Sequence, residues 1–365
     1  MSQRKLLVIG YVWPEPKSSA AGARMMQLLE FFLAEGFEIT FATTAAKTDF
    51  MADLPYLGIA TEKIELNNKS FDVFLKKISP EIVIFDRFMM EEQFGWRVAE
   101  VCPEAIRILD SEDLHSLRKA RQVAIKEGIS FPANLLHSDL AKREIASIYR
   151  CDLSLIISEA EMQLLENTFK VPAQLLFYLP FMLKAPSEAE IQNLPEFSSR
   201  RDFISIGNFL HEPNKDAVLR LKREIWQLIR KQVPEAKMHI FGAYPQQQIM
   251  ELHNEQEGFL VHGRAISASS EIQKARVLLA PLGFGAGIKG KFTDAMKTGT
   301  PTVTTKLGAE GMAQNDDWNG FIEDDVERFA DSAVKLYSEE KLWLKAQQNG
   351  FRILKEKFSE TIHRE

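Results

Sequence analysis

The sequence predicts an α/β protein made of two doubly wound parallel sheets facing a cleft. Three observations point there. The chain has 365 residues, too many for one ordinary core, so two domains are expected. Short continuous apolar runs, the pattern of strands buried on both faces, alternate with amphipathic helical segments. The alternation lapses once, in the polar, proline-containing stretch "LKAPSEAEIQNLPEFSSRR" from Leu183 to Arg201, and then restarts. Residues 1–182 are therefore expected to form a first Rossmann-like domain and 183–201 a linker. Residues 202–340 form a second such domain, and 341–365 a C-terminal helix expected to pack back on the first.

"KLLVIG" opens the first sheet as a buried strand. The loop "YVWPEPKSSAAG" follows, then the amphipathic helix "ARMMQLLEFFLAEG", which stops at Gly36 as a helix C-terminus should. "FEITFAT" returns as a strand, and "EIVIF" (Glu81 to Phe85), "AIRILD" (Ala105 to Asp110) and "DLSLIIS" (Asp152 to Ser158) continue the series. Strands alternating with helices imply right-handed βαβ units. The second half repeats the pattern: "DFISIGN", a helix from about Asn214 to Lys231, "KMHIFG", "GFLVHG", "ARVLLAPLG" and "TPTVTTK". Two consecutive amphipathic helices fit "DDVERFADSAVKLYSEEKLWLKAQQNGFRILKEKF".

Composition narrows the function. A formal net charge of −6 argues against nucleic acid as a partner, and the basic run "RKARQ" (Arg118 to Gln122) reads as a solvated helix face. Cys102 and Cys151 lack CxxC spacing, which implies a reducing compartment and no structural zinc. The opening "MSQRKLLVIGYVWPEP" is too short in apolar residues for a signal core, and no stretch is long enough to span a bilayer. A cytoplasmic protein is expected, with peripheral contact at the inner face of the membrane left open.

Chemistry concentrates in "APLGFGAGIKGKFTDAMKTGTPTVTTKLGAEGM", Ala280 to Met312. The strand ends at Gly283, and a helix is expected to start near Gly287 or Ile288. Glycines 283, 285 and 287 let the backbone turn and approach a ligand, and a helix N-terminus favours an anion. Lys289 and Lys291 add charge that a diphosphate would relieve, and Asp294 lies a turn further on, placed to accept hydrogen bonds from sugar hydroxyls. The pattern is neither GxxxxGK[ST] nor GxGxxG, and spacing alone fits a tight strand-to-helix connection with exposed lysines equally well.

The same stretch resembles the nucleotide-sugar signature of GT-B glycosyltransferases, in particular the large family 4 of retaining enzymes. "SIGNFLHEPNKDAV" is similar to the segment opening that family's second domain, and "GFLVHGRA" to the strand and glycine (Gly263) beside the nucleotide base. "GFIEDDVERFADSAVKLYSEEKLW" resembles its C-terminal helices, and "WPEPKSSAAGARMMQLLEFFLAEGFEITFAT" its donor-facing glycine loop, with Gly22. "REIASIYRCDLSLIISEAEMQLL" resembles the segment ahead of the interdomain hinge. The resemblance implies donor contacts at Gly22, Gly207, Asn208, Lys215, Gly263, Gly285, Ala286, Gly287, Ile288, Lys289, Lys291 and Asp294.

Asp294 occupies the second acid of the family's E-x7-E motif, which binds ribose. The first acid falls at Ala286, so its contact passes to the backbone of Ala286 and Gly287 or to another residue. The family's arginine after the first glycine is Asn208 here, and its phosphate-binding lysine corresponds to Lys215 or, by spacing, Asn214. Lys289 and Lys291 are the candidates to replace the missing positive charge.

On the acceptor side, "FDRFMMEEQF" puts Asp86 and Arg87 at a strand's carboxyl end. "ILDSEDLHSLR" does the same for Asp110, with His115 a turn beyond. The family carries a histidine or acid at the end of the latter strand, which makes Asp110 and His115 the catalytic candidates. From the residues alone, Asp110 or Ser111 fits a helix cap, His115 a partly buried structural histidine, and Glu144 and Glu161 surface or packing roles.

What the resemblance implies is a glycosyltransferase moving a sugar from a nucleotide-sugar donor to a glycan, lipid-linked or small-molecule acceptor. Retention by front-face attack is expected, with no cofactor and no metal: "NDDW" and "EDDV" read as turns or helix starts rather than as a metal-binding pair. Amides, a helix dipole and lysines would then meet the leaving diphosphate. A scaffold that binds without turnover, suggested by Ala286 and Asn208, and a sugar-nucleotide epimerase are the alternatives.

Overall fold

A computed structural model describes residues 4–129, 131, 137–313 and 317–363. The chain divides into two compact units, Met1–Pro16 with Ala21–Pro180, and Lys17–Ala20 with Phe181–Glu365.

The first unit follows its apolar runs: β1 (Lys5–Gly10), α1 (Ala20–Ala34), β2 (Glu38–Thr43), β3 (Ala60–Lys63), α2 (Ser70–Ile78), β4 (Ile82–Asp86), α3 (Phe88–Val101), β5 (Ile106–Asp110), α4 (His115–Glu127), α5 (Asp139–Arg150), β6 (Leu153–Ile156), α6 (Glu159–Asn167) and β7 (Leu176–Tyr178). Its seven strands lie in the order β3-β2-β1-β4-β5-β6-β7 and every pair is parallel. The chain reverses direction across the sheet between β1 and β4, a topological switch point, where ligands of such folds collect. Leu6, Leu7, Val8 and Ile9 of β1 are all buried, as a central strand covered on both faces requires. The two sheet edges are β3 ("ATEK"), which is polar, and β7 ("LFY"), which is only three residues long; with one side facing no partner, polar or short strands suffice.

The second unit holds α7 (Glu188–Gln192), β8 (Arg201–Ile206), α8 (Glu212–Arg220), α9 (Trp226–Gln232), β9 (Met238–Phe241), α10 (Gln247–Met250), β10 (Phe259–Gly263), α11 (Ala268–Lys274), β11 (Ala275–Ala280), α12 (Gly290–Lys297), β12 (Thr302–Thr304), α13 (Lys306–Ala309), β13 (Gly320–Ile322), α14 (Val326–Ser338), α15 (Glu340–Lys357) and α16 (Glu360–His363). Its six strands run β10-β9-β8-β11-β12-β13, again all parallel. The helix expected from Asn214 to Lys231 starts at Glu212 and is interrupted by a π turn, Leu221–Ile225, before α9. Trp226 then points fully into the core with Phe203 and Phe259, and its Nε1 donates to the Glu257 carbonyl at 2.7 Å.

The second unit takes in both the stretch read as a linker and the C-terminal residues. The Leu183 amide donates to the Phe358 carbonyl at 2.7 Å, and Glu360 N returns a bond to Leu183 O at 3.0 Å. The last long helix, α15, packs on α12 of this unit, where a Cβ on Gly350 would come 3.3 Å from the Met296 side chain. Trp343 Nε1 donates to Arg276 O at 2.7 Å. The apolar stripe of α15 thus packs on elements of the second unit.

Candidate functional site

In the second unit β11 is buried to its end and hands over to a glycine-rich loop. The helix that follows begins at Gly290, with Lys289 in the N-cap position, and not at Gly287 or Ile288. Gly287 decides this: its φ of +64° is left-handed backbone, open to glycine at little cost and incompatible with a helical turn. Lys291, not Lys289, therefore sits in the first turn. Gly285, Ala286, Gly287 and Ile288 are buried. Among the described residues, the amides of Phe284, Ala286 and Ile288 form no hydrogen bond, whereas buried amides are nearly always paired.

Lys291 is half-buried. Its Nζ donates to Asn214 Oδ1 at 2.7 Å. Loss of hydration, reinforced by the neighbouring Lys289, brings its ammonium down to about 7. The Lys289 ammonium turns back to the Gly287 carbonyl at 2.9 Å. Further along α12, Asp294 is half-buried, and burial raises its carboxyl against the pull of Lys297.

The α8 side decides between the two residues that spacing left open. Lys215 is held by Glu212 Oε1 at 2.6 Å and by Gln246 Oε1 at 3.1 Å. Asn214 reaches Lys291. Its Nδ2 donates to the Asn208 carbonyl at 2.9 Å, while Asn208 Oδ1 accepts from Leu210 N at 2.8 Å. Gly207 lies beside them: a Cβ there would come 2.6 Å from Asn214 Cγ. Gly207, Asn208, Asn214, Lys291 and the 283–289 loop are thus one constellation, with Lys215 turned to other partners. Gly263 ends β10, where its carbonyl accepts from Gly242 N at 2.7 Å. Gly22 belongs to α1 in the first unit, and a Cβ on it would come 2.5 Å from the Glu15 backbone, so close packing against that loop explains the glycine.

In the first unit, Asp86 and Asp110 are register partners at the carboxyl ends of β4 and β5. Asp110 is fully buried. Its Oδ1 accepts from Arg24 Nε at 3.0 Å and lies 2.9 Å from Nη2, an ion-pair contact without hydrogen-bond geometry, and Arg24 Nη1 goes on to Leu179 O at 2.7 Å and Pro180 O at 3.2 Å. Asp110 Oδ2 is buried and has no hydrogen-bond partner among the described residues. Asp86 Oδ2 accepts from Tyr11 N at 2.9 Å. Burial and Asp110 push its carboxyl up, while Arg87 pulls it down. Arg87 (φ +71°) stands 3.6 Å from Asp86 and lies over the Tyr11 ring at 5.0 Å.

Glu112, which the sequence did not single out, joins this group: its backbone is left-handed (φ +61°) and burial, then Asp110, brings its carboxyl up to about 8. Non-glycine residues held in such conformations collect at functional sites.

Asp110 and His115 are not brought together: Asp110 is closed off by Arg24, and His115 lies 3.4 Å from Asp113 and edge-on to Phe88. Neither Asp110 nor Ser111 caps α4. That work falls to two buried carboxylates from distant helices. Glu144 accepts from His115 N at 2.8 Å, Ser116 N at 3.0 Å and Ser116 Oγ at 2.5 Å, and Glu161 Oε1 accepts from Leu114 N at 3.0 Å. Of the surface or packing roles expected for Glu144 and Glu161, their burial leaves the packing one.

Burial also brings Glu144 up to about 7 despite those bonds. A carboxyl bound more tightly to its proton when folded stabilises below its unfolded value, about 4.3, and that stability is lost as pH rises through about 7. Denaturant unfolding of the wild type is expected to lose on the order of 2 kcal/mol between pH 5 and pH 8 through this group. Glu144→Gln should flatten that slope; an unchanged slope would show the carboxyl ionised throughout.

Among the described residues, no group of three His, Cys, Asp or Glu side chains is placed to hold a metal ion. "EDDV" is a helix start, where Asp325 caps α14 by accepting from Arg328 N at 2.9 Å. Part of "NDDW" lies outside the described residues. No described helix is long and apolar enough to cross a membrane. A cavity of about 620 Å³ lined by Trp318, Phe321, Asp325, Arg328 and Leu342 contains none of the expected site residues.

Residues 200–339 match the family model described as Glycosyl transferases group 1. The chain is 24% identical over 234 residues to poly(glycerol-phosphate) alpha-glucosyltransferase of Bacillus subtilis (strain 168). That match takes in 60% of this chain and 32% of the relative, so the chain spans about a third of the curated protein it resembles. Sucrose-phosphate synthase from Thermosynechococcus elongatus superposes with a TM-score of 0.73 at 14% identity, covering 99% of this chain and 96% of that one. Anabaena Alr3699/HepE, solved in complex with UDP and glucose, gives 0.71 at 11% identity, covering 99% and 97%.

Proposed function

We propose, from the membership of residues 200–339 in the Glycosyl transferases group 1 family and the GT-B fold of both units, that the chain transfers a sugar from a nucleotide-sugar donor to an acceptor. The observation that carries this is the loop into α12: unbonded amides at Phe284, Ala286 and Ile288 stand beside a half-buried lysine held by a neutral asparagine. Breaking a sugar–diphosphate bond places negative charge on the departing phosphate. Fixed donors already facing that charge need no reorganisation when it appears. Lys291, the loop amides and the N-terminus of α12 are such donors, and we assign them the diphosphate without a metal. Asp294 is assigned the ribose hydroxyls.

No carboxylate stands at Ala286, and Asp110 is committed to Arg24. Front-face transfer with retention is the chemistry consistent with the lack of a protein nucleophile at either place. The acceptor class proposed is a glycan, a lipid-linked sugar or a small molecule, met in the cytoplasm or at the inner face of the membrane. Ala286 favours a second reading, a protein that binds the donor without turning it over. Calorimetry with UDP, GDP and UDP-glucose on wild type and Lys291→Ala tests the donor site. Binding in the micromolar to millimolar range by wild type, weakened in the variant, is expected. No binding of any of the three at millimolar concentration would sink the donor assignment. Slow hydrolysis of the bound sugar nucleotide, present or absent, separates an enzyme from an inert scaffold.

A further inference from the structure

Among the described residues, Lys291 forms no ion pair with a carboxylate. On the neighbouring elements, Glu212 and Lys215 of α8 pair with each other at 2.6 Å, and Asp294 and Lys297 of α12 act on one another. Lys289 is the one that acts on it, and with the same sign. The ammonium is held by a single neutral oxygen, Asn214 Oδ1, at 2.7 Å. The orientation of that amide is fixed at its other end, where Nδ2 donates to Asn208 O at 2.9 Å, so the oxygen and not the nitrogen must face the lysine. The room for this arrangement comes from Gly207, whose missing Cβ would fall 2.6 Å from Asn214 Cγ and 2.7 Å from Nδ2.

Resting on the donor reading above, we propose that Asn214 is the positioning residue of Lys291, holding its ammonium where the donor diphosphate docks, and that Gly207 is glycine because a side chain would displace Asn214. An asparagine suits this task in a way that an aspartate does not. It orients the ammonium and leaves its charge for the incoming phosphate, whereas a carboxylate would neutralise it and compete. The Lys291 ammonium, lowered to about 7 by burial and Lys289, is also left responsive to whichever acceptor stands beside it.

The test compares wild type, Asn214→Asp, Asn214→Ala and Gly207→Ala by two measurements. The first is the pH dependence of amine modification at Lys291 in the ligand-free protein, read by peptide mass spectrometry. The second is calorimetric affinity for UDP-glucose from pH 6 to pH 9, a probe whose diphosphate keeps its charge throughout. Asn214→Asp, nearly isosteric, is expected to move the Lys291 midpoint to higher pH and yet weaken UDP-glucose about tenfold at pH 7.5, roughly the effect of one charge-assisted hydrogen bond. Asn214→Ala and Gly207→Ala are expected to move the midpoint to lower pH and weaken binding by a similar factor. A purely structural role would lower thermal stability and leave the midpoint in place, and an unmoved midpoint in Asn214→Asp overturns the proposal. If wild type binds no sugar nucleotide, the donor reading falls, and the midpoints still judge the Asn214–Lys291 couple on their own.

Discussion

Arg24→Ala is expected to cost the first unit about 3–5 kcal/mol, the penalty for stranding one member of a buried ion pair. Asp110 is fully buried, and Arg24 is the cation on its Oδ1 through both Nε and Nη2. The same guanidinium satisfies two backbone carbonyls at Leu179 and Pro180, so truncation orphans three acceptors together. Arg24→Lys should recover only part of the loss, because an ammonium cannot reproduce the planar fork that serves Asp110 and the carbonyls at once. Joint replacement by Arg24→Met and Asp110→Leu should recover much more, since apolar pairs of similar volume often replace buried ion pairs without loss. Urea unfolding of the four proteins decides the matter. A cost below about 1 kcal/mol for Arg24→Ala would mean that water reaches Asp110.

Lys291→Met is expected to lower turnover of the sugar nucleotide about 10²- to 10³-fold, the usual effect of removing one donor from a preorganised anion site. The same substitution should leave stability unchanged or raise it, with Tm up by about 2–4 °C if roughly 1 kcal/mol is gained. The reason is that a half-buried ammonium beside Lys289, received among the described residues by the neutral Asn214, is a folding liability. Activity and stability moving in opposite directions distinguish a binding residue from a packing residue. Steady-state kinetics, including hydrolysis without acceptor, and thermal melts on one preparation give both readouts. A melt lowered in proportion to lost activity would place Lys291 among the structural residues instead.

Much of the architecture was legible in the apolar runs, because a strand covered on both faces leaves an unbroken stretch such as "KLLVIG" or "ARVLLA". The edge strands β3, β7 and β13 were not legible: "ATEK" is polar, and "LFY" and "GFI" are too short to read as strands. The glycine–lysine loop was recognisable as a place for an anion. Its helix start was misplaced because only the left-handed φ at Gly287 shows that the helix waits until Gly290. Whether Asn214 or Lys215 faces the loop turns on the phase of α8, one residue of rotation that spacing cannot supply. The caps of α4 were invisible for a different reason: Glu144 and Glu161 lie 29 and 47 residues from the amides they receive.

Those remote caps have a mechanical corollary. α4 borrows the acceptors for its first turn from α5 and α6, so it cannot swing without dragging both neighbours or abandoning two sealed carboxylates. The short span from Asp110 to His115 is moored to Arg24 at one end and to Glu144 at the other. A surface clamped in that manner is held in one shape before any ligand arrives, and would select by outline rather than by yielding.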